Sequence, residues 1–163
     1  KMMRIIIFMN RRFLRQTAFK ILFSYNFNKE CISNCINEKN EVSEENNIFF
    51  THDDEDDSKL DKLSEKDKQF LYNLVKGTID NRETIDSLIS KSLKSWTLDR
   101  IAKVDLTILR MALYEMLYSK DVPVSVAINE AVELGKKFGT DDSGGFINGV
   151  LGKIAKELDK QGE

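Results

Sequence analysis

The chain has 163 residues, 41% of them hydrophobic and 32% charged, with a formal net charge of −2. That length fits one domain with its own core, and no apolar run approaches the ~20 residues that cross a bilayer. Two cysteines and one histidine neither require a disulfide framework nor complete a four-ligand zinc set.

The small net charge hides a strong division. Residues 1–29 carry seven bases and no acid, residues 30–67 carry thirteen acids against four bases, and residues 68–163 balance fourteen against fourteen. A basic end therefore stands next to an acidic segment, a pattern that bears on partners rather than on fold.

The opening KMMRIIIFM starts as secretory signals do, but its apolar run from Ile5 to Met9 is shorter than the ~7 residues such a signal needs. Residues 1–9 are read as a poorly ordered leader, with Met9 as a candidate start. The stretch RRFLRQTAFKILFSY follows, in which Leu14, Ala18, Ile21, Leu22 and Tyr25 recur at helical spacing beside Arg11, Arg12, Arg15 and Lys20. One helix thus carries a core face and a charged face. Residues 28–61 are rich in Asn, Glu, Ser and Asp and include the run from Asp53 to Asp57. Such a composition buries too little apolar area to offset ordering entropy, which predicts an irregular acidic insertion, with Ile48, Phe49 and Phe50 as its one apolar cluster.

From Ser64 the helical period returns. Ser64 and Asp67 resemble a capping box, and apolar residues from Phe70 to Ile89 predict one long helix over about 64–93. Trp96 and Leu98 begin a short element through Lys103. Leu106, Leu109, Ala112, Leu113 and Met116 mark an amphipathic helix ending near Lys120, before the chain's one proline, Pro123. Val124 to Phe138 form the next helix, with Gly139 in the C′ position. Asp141, Asp142 and Ser143 offer cap oxygens for a last helix with Ile147, Val150, Leu151, Ile154 and Leu158 on one face. Its glycines suggest close helix approach at Gly149 and Gly152, and room for a ligand beside Gly144 and Gly145. Strict period-2 alternation is absent, so the expected fold is all-α, in a single domain over residues 1–163.

No residue set suits catalysis. His52 lies in the acidic insertion, Cys31 and Cys35 are read as reduced cysteines of a cytosolic protein, and Asp141 with Asp142 are read as caps. Phosphate-loop, dinucleotide and nucleophile-elbow motifs are missing. The expectation is a non-enzymatic protein without cofactor or metal. The basic helix admits a plain solvated face as well as a binding face. Against the former stands the lack of any acid across 29 residues, where Glu–Lys pairs are usual on solvated helices. Phe13, Phe19, Phe23 and Tyr25 interleave the bases, supplying stacking faces beside phosphate-binding charges. Single-stranded RNA fits that mixture better than a membrane surface.

RRFLRQTAFKILFSY, VDLTILRMALYEM at 104–116 and DVPVSVAINEAVELGKKFGTDDSGGFINGVLGKI at 121–154 resemble the NusB family of transcription antitermination factors. The run DVP, INEAVELGKKFG and F-x-NGVL is the most specific part; the acidic insertion has no counterpart. The resemblance implies a helical bundle of two packed three-helix sub-bundles without enzymatic activity. It implies binding of boxA RNA in nascent rRNA transcripts together with NusE, a small-subunit ribosomal protein, within the elongating RNA polymerase complex. Carried over by position, RNA contacts fall on Arg11, Arg12, Arg15, Lys20 and Phe23, and at the last helix on Asp142, Ser143 and Phe146. Gly144 and Gly145 stand where the family is polar and often basic, which puts contacts there in doubt. NusE is expected on the second half, with Asp105, Arg110 and Glu115 as candidates. Two other readings stay open: the NusB-like targeting domain of an rRNA cytosine methyltransferase, disfavoured by length, and a purely protein-binding scaffold. The sequence does not choose between monomer and homodimer.

Overall fold

The computed structural model describes residues 2–26, 63–94 and 96–161, with side chains described from Arg11 onward in the first helix. The acidic insertion at 28–61, with Cys31, Cys35 and His52, lies outside the described residues. Among the described residues there are six α-helices: α1 Met2–Tyr25, α2 Glu65–Asp80, α3 Arg82–Ser92, α4 Lys103–Tyr118, α5 Val124–Phe138 and α6 Ser143–Gln161. A 3-10 turn, Leu98–Arg100, lies between α3 and α4. Among the described residues there is no strand, and the expected all-α fold is the observed one.

The chain divides into two compact units, Lys1–Lys76 and Gly77–Glu163, with the division inside α2. In the first unit α1 begins at Met2, so the stretch expected to be a leader is helical backbone continuous with the basic segment. No Pro or Gly interrupts it. Leu14, Ala18 and Leu22 are buried at i, i+4 and i+8. At the start of α2 half of the expected capping box forms: Asp67 N–H donates to Ser64 Oγ at 3.2 Å, while the Asp67 carboxylate accepts the Ser64 hydroxyl at 2.7 Å in place of the Ser64 backbone N–H.

The predicted 64–93 helix is in fact two. Asn81 sits at φ −100°, ψ 15°, in the bridge region, and its Nδ2 donates to the Gly77 carbonyl at 2.8 Å. The Asn81 N–H still donates to the same carbonyl at 3.1 Å, so the amide adds a second bond there while the Asn81 dihedrals leave the helical region, and apolar periodicity, which continues through Ile85 and Ile89, does not register the break.

In the second unit α4 lies in contact with α3, α5 and α6. Asp105, Glu115 and every residue from Thr107 to Met111, Ala112 and Leu113 are buried, so this helix is enclosed nearly all round rather than amphipathic. Two of its buried polar side chains are accommodated: Thr107 Oγ1 donates to the Lys103 carbonyl at 2.7 Å, and Arg110 binds Asp86 of α3. α5 and α6 form the most extensive pair. Ala127, Ala131 and Leu134 face a core shared with Ile147, Leu151 and Ile154, each of the last three 0–1% exposed. Burying a side chain of that size contributes about 1.5–3 kcal/mol.

Glycine roles differ from those expected. A β-carbon on Gly149 or Gly152 would meet nothing within 4 Å, so neither is a site of close approach. The tight crossing is at Gly135, where a β-carbon would stand 2.6 Å from Ile147 Cδ1, and Gly144 lies under the Lys136 stem. Gly139 ends α5 at φ −95°, ψ −160°, not in the left-handed region; glycine is needed there because Ser143 fills the space a side chain would take.

Candidate nucleic-acid interface

The charged face of α1 is narrower than its sequence suggests. Arg11 and Arg15 fall on the stripe of Ala18 and Leu22, at i, i+4, i+7 and i+11, and so turn inward with it. Arg15 is 4% exposed. Its guanidinium carbon lies 5.5 Å from the centroid of the Phe70 ring of α2, and that of Arg11 lies 3.9 Å from the same ring. The ring's negative face favours both cations and draws them toward α2. Arg15, expected to contact RNA, is therefore corrected to a buried residue, and Arg11 is half-buried.

The outward stripe holds different members. Arg12 is exposed, and Gln16, Lys20 and Phe23 follow at i+4, i+8 and i+11, each half-buried. Phe23 stacks on the buried Phe19 with ring centroids 5.7 Å apart and planes 26° from parallel, which fixes its ring while leaving part of it accessible. Gln16 was not among the expected contacts. Its spacing from Arg12 and Lys20 places it on the same stripe.

At the start of α6, in the second unit, Asp142 is exposed and its carbonyl accepts the Phe146 N–H at 3.0 Å. Phe146 is half-buried. Ser143 is 2% exposed, and its Oγ accepts the Thr140 N–H at 3.0 Å. Its hydroxyl is committed to the turn between α5 and α6, a correction to its expected role as an RNA contact. A β-carbon on Gly144 would stand 3.3 Å from Lys136 Cγ, whereas Gly145 opens to empty space. The Lys136 side chain thus lies across Gly144, with its ammonium 3.5 Å from Glu133 Oε1. Lys137 places its ammonium 5.4 Å from the Phe138 ring centroid.

The three residues expected to meet a protein partner are buried: Asp105 and Arg110 at 8% exposure and Glu115 at 2%. The enclosure of α4 is the cause. Arg110 is occupied by Asp86, and it leaves the candidate surface together with Glu115. Asp105 differs, because its Oδ1 is buried with no hydrogen-bond partner among the described residues.

The profile of the NusB family matches residues 12–156. The chain belongs to the NusB family. It is 44% identical to the transcription antitermination protein NusB of Clostridium tetani over 154 residues, spanning 92% of this chain and all of that protein. It is 42% identical to the NusB of Acetivibrio thermocellus over 148 residues, covering 91% and 90% of the two chains. Among solved structures, T. maritima NusB superposes with a TM-score of 0.70 at 34% identity, over 90% of this chain and 91% of that one. A structure of the antitermination factors NusB and NusE in complex with dsRNA matches with a TM-score of 0.67 at 25% identity, over 91% and 97%. NusB proteins are non-enzymatic transcription antitermination factors, and this chain is one of them. Among the described residues no helix is long and apolar enough to cross a membrane.

Proposed function

We propose that this NusB-family chain binds boxA-type single-stranded RNA in nascent rRNA transcripts, together with NusE, and so suppresses premature termination by the elongating polymerase in the cytoplasm. The observation that carries this reading is the outward stripe of α1. Arg12, Gln16, Lys20 and Phe23 combine cations for phosphate, an amide for a base edge and an aromatic ring for stacking, in a helix without an acid. Exposed Asp142 and half-buried Phe146 supply a second set of contacts on the other unit, with Phe146 as the stacking member.

The unpartnered Asp105 oxygen favours a protein partner as well. A buried acceptor left without a donor costs about 1–3 kcal/mol, and a donor from NusE removes that cost. The deciding experiment is a titration of labelled boxA-type RNA with the chain, alone and with NusE, at two salt concentrations. Binding that tightens with NusE and weakens with salt is expected. Equal affinity for boxA-type and scrambled RNA, with and without NusE, would defeat the reading.

A further inference from the structure

Trp96 is 54% exposed, the most exposed of the large hydrophobic side chains described. A single exposed aromatic ring is ordinary on a surface, but the residues near this one in the chain are strongly basic. Between positions 91 and 103 there are four cations, Lys91, Lys94, Arg100 and Lys103, and one acid, Asp99. All four cations are exposed. Hydrogen bonding from the Thr97 hydroxyl, more than the neighbouring Arg100, holds the Asp99 carboxyl below its ordinary pKa. That single negative charge is thereby tied to the turn.

The platform beneath the Trp is fixed. Arg100 N–H donates to the Thr97 carbonyl at 3.0 Å and Ile101 N–H to the Leu98 carbonyl at 3.2 Å. Ile101 is 5% exposed and anchors the turn in the core. The Lys153 ammonium of α6 donates to the carbonyl of Ser92 at the end of α3, bringing a fifth cation to that end of the helix.

We infer that Trp96, with Lys94 and Arg100, is a second single-stranded RNA contact, in which a base stacks on Trp96 while phosphates pair with the two cations. The inference rests on the RNA-binding reading for the class of ligand, but on none of the residues of α1 or of the start of α6. A π-face among exposed cations accepts any base, so this contact adds affinity for RNA flanking the recognised element without reading its sequence. The local excess of positive charge favours a polyanion over a basic protein surface.

Trp96 is the only tryptophan in the chain, so its fluorescence reports this site alone. Titration of the full chain with oligouridylate is expected to quench that fluorescence, and the quenching should persist in Arg12→Ala. With binding followed by anisotropy of labelled RNA, Trp96→Ala should weaken affinity about 5- to 150-fold while Trp96→Phe retains most of it. Lys94→Ala and Arg100→Ala should each flatten the slope of log affinity against log salt by about 0.7. RNA binding with unchanged Trp96 fluorescence and unchanged affinity in Trp96→Ala would overturn the inference and leave the α1 reading standing. So would a Trp96→Ala variant that keeps its RNA affinity but no longer captures NusE, which would assign the patch to a protein partner. Absence of any RNA binding by the unmodified chain would overturn both.

Discussion

The Arg110 guanidinium of α4 meets the Asp86 carboxylate of α3 side by side, Nε donating to Oδ1 at 2.7 Å and Nη2 to Oδ2 at 2.9 Å. Arg82 stands behind the same carboxylate, 3.7 Å from Oδ2. The two principal side chains are only 10% and 20% exposed, so solvent screens the pair weakly. Removing Arg110 leaves a half-buried Asp86 carboxylate with only the looser Arg82 contact, a change that costs about 1–3 kcal/mol. Arg110→Ala should lower the unfolding free energy by about that amount in urea denaturation, and Arg110→Lys, which loses the paired geometry, should recover only part of it.

Glycine substitutions should separate by position. Gly77 lies against the ring of Tyr114, whose hydroxyl pKa burial pushes up, and a β-carbon there has no room. Gly77→Ala should destabilise by about 1–3 kcal/mol despite the better helix former. Gly149→Ala meets nothing within 4 Å and should stabilise by up to about 1 kcal/mol. Thermal melting of the two variants is expected to shift in opposite directions.

Arg12 and Arg15 are predicted to fail in different assays. Arg12 is exposed, so Arg12→Ala should change stability by no more than about 0.5 kcal/mol while flattening the salt dependence of RNA binding by about 0.7. Arg15 is buried over Phe70, so Arg15→Ala should show mainly as lost stability. An Arg15→Ala variant with full stability and a flattened salt slope would contradict the inward placement.

The proposed partner contact at Asp105 predicts separate effects on stability and on binding. Its Oδ1 lacks a partner, while its place in the first turn of α4 is favoured by the helix dipole. These effects oppose each other, and Asp105→Ala should alter stability by no more than about 1 kcal/mol. Capture of NusE should weaken by about 2 kcal/mol or more, as for a desolvated charge that gains its donor only across an interface. Isothermal titration of the variant with NusE checks this.

Much of the helical outline was legible in the chain. Pro123 and Gly139 bracket α5 where periodicity places it, and Ser64 with Asp67 opens α2. The break at Asn81 was not, because it is a departure of one polar residue's dihedrals from helical values that leaves the apolar pattern unchanged. The burial of Arg110 and Glu115 was not legible either. A helix enclosed by α3, α5 and α6 and a helix with one wet face differ in their neighbours more than in their period.

The sequence by itself determined the all-helical fold, the family, and a first helix without acids. Those properties depend on residue type and spacing along one segment, which local chemistry reads directly. Tertiary structure alone decided which cations face water. Arg11 and Arg15 turn toward Phe70, a residue far along the chain, and Arg12 and Lys20 are left to define the outward face. It also decided which glycines are crowded, since Gly135 needs the side chain of Ile147 against it and Gly149 meets none. Burial is set by what packs against a residue, and those neighbours are specified only when the chain has folded.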